Sequence, residues 1–192
     1  YGITVGRGAG SVSTNTAVGA SALQANTTGS LNTAVGYQAG YSITTNPALS
    51  VFGYQAGYYM TDANDAFGHQ AMYGSSGATG YYNAALGYKS LFSLTSGTAN
   101  TAIGRQALQA NTTASNSVAI GYQALYSNTT TDAVVAVGWA AGYSKTTGGS
   151  NFAQTYVGTK AGYSNTTGAE SVYLGYRSGY SATSNGNTFL GS

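Results

Sequence analysis

The sequence predicts an all-β fold: a parallel β-roll, or β-solenoid, of about 12 coils with a repeat near 17 residues. Three observations carry that expectation. One short phrase recurs twelve times, a large apolar residue followed by Gly, with a small residue three positions after the Gly, as in Ala34-Val35-Gly36-Tyr37-Gln38-Ala39. Its glycines are Gly6, Gly19, Gly36, Gly53, Gly68, Gly87, Gly104, Gly121, Gly138, Gly158, Gly175 and Gly191. Six of the eleven spacings are 17 residues, and the 15 and 19 flanking Gly68 sum to two such periods. That period is too short for a helical-hairpin repeat. The residue before each glycine runs Val5, Val18, Val35, Phe52, Phe67, Leu86, Ile103, Ile120, Val137, Val157, Leu174 and Leu190. Most of these are β-branched or aromatic, the types that favour strands.

Residues one and three before the glycine share a strand face by period-two alternation, and that face is expected to point inward. The glycine permits a bend or a close backbone approach. The residue three after it is Ala or Ser from Ala9 to Ser178, which indicates tight contact inside the coil or between chains. Aromatics recur five residues after the glycine, among them Tyr41, Tyr58, Tyr126, Tyr143, Tyr163 and Tyr180, and one residue after it, as Tyr37, Tyr54, Tyr122, Trp139 and Tyr176. Coils about 4.8 Å apart would stack these into ladders. Asn15, Asn32, Asn64, Asn83, Asn100 and Asn187, four before the glycine, are expected to form a hydrogen-bonded ladder. Asn-Thr-Thr triplets read as turns. The expectation is two short strands per repeat, joined by polar turns, with no internal linker: residues 1–192 form one repetitive rod about 55 Å long.

Composition narrows the function. Charged residues make up 5% of the chain, far below an ordinary globular domain, so Thr, Ser, Asn, Gln and Tyr must supply solubility. The net charge is +2, from Arg7, Lys89, Arg105, Lys145, Lys160 and Arg177 against Asp62, Asp65, Asp132 and Glu170. Dispersed in sequence, these bases form no basic run, which argues against nucleic acid. Cysteine is absent, and no apolar stretch is long enough to span a membrane as a helix. The chain starts and stops inside a repeat, so it is expected to be a segment of something longer.

Asn116-Ser117-Val118-Ala119-Ile120-Gly121, followed by Ala124, resembles the head repeat of trimeric autotransporter adhesins. Asn100-Thr101-Ala102-Ile103-Gly104 and Asn32-Thr33-Ala34-Val35-Gly36 are similar to it, and the Gly-Tyr-Gln-Ala phrases with Asn-Thr-Thr turns also resemble segments of bacteriophage tail-fibre proteins. The resemblance covers nearly the whole chain. It implies a left-handed parallel β-roll, three chains per rod, and attachment to a surface. The longer, Tyr-rich turn departs from the family's repeat.

Asp62 and Asp65 lie near His69, the sole histidine, and would suit an acid–base pair or a small metal site. Turn chemistry explains the acids, and His69 takes a position that aromatics fill elsewhere, so no enzyme, cofactor or metal is expected. Asn26, Asn111, Asn128 and Asn165 satisfy the N-glycosylation pattern and are acceptors if the protein is eukaryotic and secreted. The Tyr ladders read as a structural element, through interchain packing or rod stiffening, or as glycan-binding surfaces. A receptor site is expected in a length-irregular loop, Gly142 to Phe152 or Tyr73 to Asn83. The favoured function is a non-enzymatic extracellular fibre segment of a phage tail fibre or bacterial adhesin. It would be a homotrimer that engages a glycan or protein receptor, without nucleic acid or membrane insertion. The alternatives are a structural filament without a receptor and an ice-binding solenoid.

Overall fold

The computed structural model describes residues 4–146 and 153–191. Twelve short strands form a single sheet in chain order: β1 (Val5–Gly6), β2 (Thr16–Val18), β3 (Thr33–Val35), β4 (Ser50–Phe52), β5 (Asp65–Phe67), β6 (Ala84–Leu86), β7 (Thr101–Ile103), β8 (Val118–Ile120), β9 (Val134–Val137), β10 (Gln154–Val157), β11 (Val172–Leu174) and β12 (Thr188–Leu190). From β2 to β12 every pairing is parallel and joins equivalent repeat positions, such as Ala102↔Ala119 and Ile103↔Ile120. The chain is a β-solenoid of about 10 turns rather than the 12 coils expected, with the ~17-residue spacing read from its glycines. The first pair departs from the rule, because β1 meets β2 antiparallel.

Each coil holds one strand rather than two. The expected second strand is replaced by backbone that turns left-handed at alternate residues. Gln55, Gln106 and Gln123, two after the glycine, have φ of 51°, 60° and 56°, and Leu91, Leu108 and Leu125, four after it, have φ of 49° to 51°. A run of alternating left-handed residues cannot hold a β-ladder. Its N–H groups instead bond the coils on either side, as in Gln123 N to Arg105 O of the preceding coil at 2.9 Å and Leu108 N to Ala124 O of the next at 3.0 Å.

The glycine forms the corner between strand and turn. From Gly19 to Gly175 its φ lies between 123° and 139°, a region closed to side-chain-bearing residues. A Cβ there would sit 2.4 to 2.6 Å from the carbonyl oxygen of the next corner glycine. The twelvefold motif is thus chiefly a condition for coils to stack.

The strand faces are the reverse of the expectation. The middle residue points inward: Ala34, Val51, Ala66, Ala102, Ala119, Ala136, Tyr156 and Tyr173 are all fully buried. The large residue beside the glycine points out, and Phe52, Phe67, Leu86, Ile103, Ile120 and Leu174 are exposed. The physical reason is space. The coil interior is already filled from its other side by Leu23, Met72, Leu91, Leu108 and Leu125, and by Ile43, Met60 and Leu94. The small residue after the corner is buried inside the same coil, as at Ala39, Ala56, Ala107 and Ala124.

Volume is shared within this narrow core. Where a coil carries Leu or Met four after the corner, its inward strand residue is Ala: Ala17 with Leu23, Ala66 with Met72, Ala102 with Leu108 and Ala119 with Leu125. Where the strand offers Val51, Tyr156 or Tyr173, the facing residue is Gly57, Gly162 or Gly179, and a Cβ would lie 2.7, 2.1 or 1.9 Å from that side chain.

The predicted Asn ladder is present and buried in two runs, Asn15 with Asn32 and Asn64 with Asn83 and Asn100, whereas Asn187 stands apart, its N donating to Ser171 Oγ. Asn83 accepts from Asn100 N at 2.9 Å and Asn100 Nδ2 at 3.0 Å, and Asn100 in turn accepts from Ser117 N at 3.0 Å. Asn83 Nδ2 donates to Gly97 O and Asn100 Nδ2 to Ala114 O. Each amide thereby satisfies turn groups that no strand partner reaches.

Candidate interaction surfaces

The strand face presents an apolar column parallel to the rod. Phe52 and Phe67 stack at 4.8 Å, and Leu86, Ile103 and Ile120 continue the line. At Ala84 a small side chain leaves a shallow hollow of about 240 Å³ between Phe67, Leu86 and Ile103. The file is contiguous and apolar on a chain with few charges.

The corner after the strand carries the aromatic ladders. Tyr37, Tyr54, His69 and Tyr88 stack at successive centroid distances of 5.5, 4.7 and 5.3 Å. Arg105 continues the file between Tyr88 and Tyr122, 5.3 and 5.8 Å from their rings. Trp139 and Tyr176 occupy the same position higher up, both half exposed. A second, less exposed ladder runs Tyr41, Tyr58, Tyr73 and Phe92, then Tyr126, Tyr143, Tyr163 and Tyr180. Between the two lies a hydrogen-bonded Gln file, Gln55 to Gln38 at 2.8 Å and Gln70 to Gln55 at 3.0 Å. Lys89, Lys160 and Arg177 take Gln positions, each between rings of both ladders. Stacking occupies the ring faces and leaves edges and hydroxyls outward. Burial first, then neighbouring Tyr hydroxyls, raise the Tyr58, Tyr73 and Tyr143 phenols above their ordinary value.

The corner before the strand carries Asp62, Asp132 and Glu170, and the fourth acid, Asp65, opens strand β5. Asp62 accepts from Asn46 Nδ2 at 2.6 Å, and Asp132 accepts from Ser115 N at 2.7 Å. Pro47, Ala48, Asp62, Ala63, Tyr81 and Tyr82 line an open groove of about 510 Å³ here, where the irregular 15- and 19-residue intervals fall. Tyr81 and Tyr82 meet edge to face at 4.9 Å and stand outside both ladders, with Tyr82 70% exposed. The loop between Tyr73 and Asn83 thus contributes a recess. In the other expected loop, residues 147–152 lie outside the described residues.

The Asp62, Asp65 and His69 grouping does not assemble. Asp62 lies in the turn before β5, and His69 lies beyond the Gly68 corner, its ring taken up between Tyr54 and Tyr88. Among the described residues no group of three or more His, Cys, Asp or Glu is placed to hold a metal, and no helix is long and apolar enough to cross a membrane. The sequon residues Asn26, Asn111, Asn128 and Asn165 are buried within the coil. Asn128 shows their role as turn formers, donating to Thr131 O at 2.9 Å and accepting from Thr131 N at 3.1 Å. A glycan on these amides has no room in the folded coil. In the Asn-Thr-Thr turns the first Thr donates its hydroxyl up the rod, as Thr27 to Thr44 O at 3.1 Å and Thr112 to Thr129 O at 3.1 Å. The second Thr of each triplet, Thr28, Thr113, Thr130 and Thr167, is exposed, and near the start of the rod Thr27 and Thr44 are exposed as well.

One charge is inside. Lys145 is 1% exposed and stands where other coils place Ile43, Met60, Leu94 or an Asn. Its Nζ donates to Gly168 O at 2.8 Å. Burial pulls its ammonium down to about 8. Below that pH both folded and unfolded chains hold the proton, and the full cost of burying it is present. Between there and the ordinary lysine range only the unfolded chain binds it, so stability rises with pH. Between pH 7.5 and 9.5 the chain is expected to gain on the order of 1–2 kcal/mol, before Tyr ionisation intervenes. Lys145→Met should lack that rise in urea titrations at the two pH values. An equal rise in the variant would place its origin elsewhere.

Compared with known protein families, curated proteins and solved structures, the chain finds no match.

Proposed function

We propose that this chain is a segment of a homotrimeric extracellular fibre, of the phage tail-fibre or bacterial-adhesin kind, that attaches to a cell surface. The observation that carries the reading is the outward apolar column from Phe52 through Ile120 to Leu174. A lone soluble rod has no use for such a file, and identical rods packed around an axis bury it along their whole length. The resemblance to adhesin head repeats supports three copies. The ladders support the mechanical part: stacked rings and amides resist bending along the axis. Attachment is multivalent, three weak copies of each face raising avidity.

The face-to-face stacking of the ladder rings favours one alternative, a structural filament with no receptor. A binding assay on a panel of bacterial cells separates the two. Labelled wild type is expected to be retained on at least one surface. Ile103→Glu with Ile120→Glu, which places charges in the apolar column, should lose retention at least tenfold together with its assembly. Retention on no surface favours the filament, and equal retention by a disassembled variant sinks the multivalent mechanism.

A further inference from the structure

The charges dispersed in sequence are sorted in space. Arg7, Lys89, Arg105, Lys160 and Arg177 all lie one or two residues after a corner glycine, on the edge that carries the aromatic ladders. Asp62, Asp65, Asp132 and Glu170 all lie between three and six residues before one, on the opposite edge or at the start of the strand. The apolar column runs between the two edges. The sixth base, Lys145, is the buried one. We infer that the acidic edge of one copy docks against the basic, aromatic edge of a second copy, so that the rods associate in parallel with unlike edges in contact. This rests on the proposed assembly and specifies its orientation and its contacts.

Symmetry gives the inference its content. In a ring of parallel rods with strand faces inward, each copy offers its two edges to two different neighbours, and the edge before the strand meets the edge after it. In an antiparallel pair stacked face to face across a twofold, like edges meet, acid on acid and base on base. Sorting therefore favours the parallel ring and penalises the antiparallel pair. The groove of Pro47, Asp62, Tyr81 and Tyr82 then has an occupant of stated chemistry. A lysine or arginine from the neighbour would reach Asp62 and lie against the exposed Tyr81 and Tyr82 rings. Along the rod, Lys89 follows β6, one strand above Asp62 and Asp65, and Lys160 follows β10, one strand above Asp132. The same step of about 4.8 Å serves both pairs and is within the reach of a lysine side chain.

Zero-length carbodiimide cross-linking of the wild-type chain tests this without any substitution, because Lys89 and Lys160 are the two lysines outside the core. Mixed isotopically labelled and unlabelled chains identify the links that join different copies. Links from Asp62 or Asp65 to Lys89, and from Asp132 to Lys160, are expected. Asp62→Lys with Asp132→Lys should weaken association at least tenfold, and adding Lys89→Glu with Lys160→Glu should restore it. Links from Asp62 to Lys160 would join edges about five strands out of step and overturn the inferred register. So would an assembly that forms no acid-to-lysine links and tolerates the charge reversals, as when a soluble glycan rather than a neighbour fills the groove. A chain that stays monomeric at every concentration overturns the trimer itself, a different outcome from either.

Discussion

Gly104→Ala is expected to destabilise the roll by more than about 4 kcal/mol, whereas Gly6→Ala, at the same place in the motif, should cost less than about 1 kcal/mol. At Gly104 the φ is +132° and an added Cβ would stand 2.4 Å from Gly121 O. That carbonyl belongs to backbone fixed by the neighbouring coils, so neither side of the contact can give. At Gly6 nothing lies within 4 Å and the backbone is not left-handed. Urea unfolding of the two variants measures the difference. Equal costs would mean that the corner glycine is conserved within the chain for some purpose other than stacking.

Tyr156 and Gly162 should behave as one unit. Tyr156 is fully buried, its ring 5.4 Å from Tyr173 and its hydroxyl bonded to Gln154 Oε1. Tyr156→Ala removes a ring from a closed space and is expected to cost about 3–5 kcal/mol. Gly162→Ala drives a Cβ to 2.1 Å from Tyr156 Cε1 at a φ of +57°, and should cost several kcal/mol by overpacking. The combination Tyr156→Ala with Gly162→Leu recreates the arrangement that Ala119 and Leu125 already use, so it should recover roughly 2 kcal/mol or more relative to Tyr156→Ala alone. Thermal melts of the three variants and wild type give the coupling. Simple additivity would show that the two positions fill separate spaces.

These two cases mark what the sequence makes legible. Gly104 stands in a phrase repeated at fixed phase, and its neighbours announce coil, strand and corner before any coordinate is known. The Asn ladder was equally readable, since Asn83 and Asn100 recur at one position and a buried amide column satisfies both itself and the turns. The inward face was misread because alternation gives two faces without saying which is inside. Ile103 is the larger residue, but the coil interior is narrow and Leu108 already fills it. A reader comparing Ala102-with-Leu108 against Tyr156-with-Gly162 has the signal, as the two positions trade volume. The left-handed run that replaces a second strand gives little warning, because Gln106 and Leu108 are ordinary residues that adopt positive φ only under the stacking of neighbouring coils. The sorting of charge was hidden for a simpler reason. Lys89 and Arg177 are 88 positions apart in sequence, and become neighbours of one edge only once the coils are laid on one another.

The interaction surface depends most on the claim that the apolar column is a contact between identical copies. Sedimentation equilibrium of the wild-type chain at micromolar concentration tests it directly. The expected result is a single species at three times the 19.3 kDa chain mass. A folded species at the mass of one chain, persisting as concentration is raised, would contradict it.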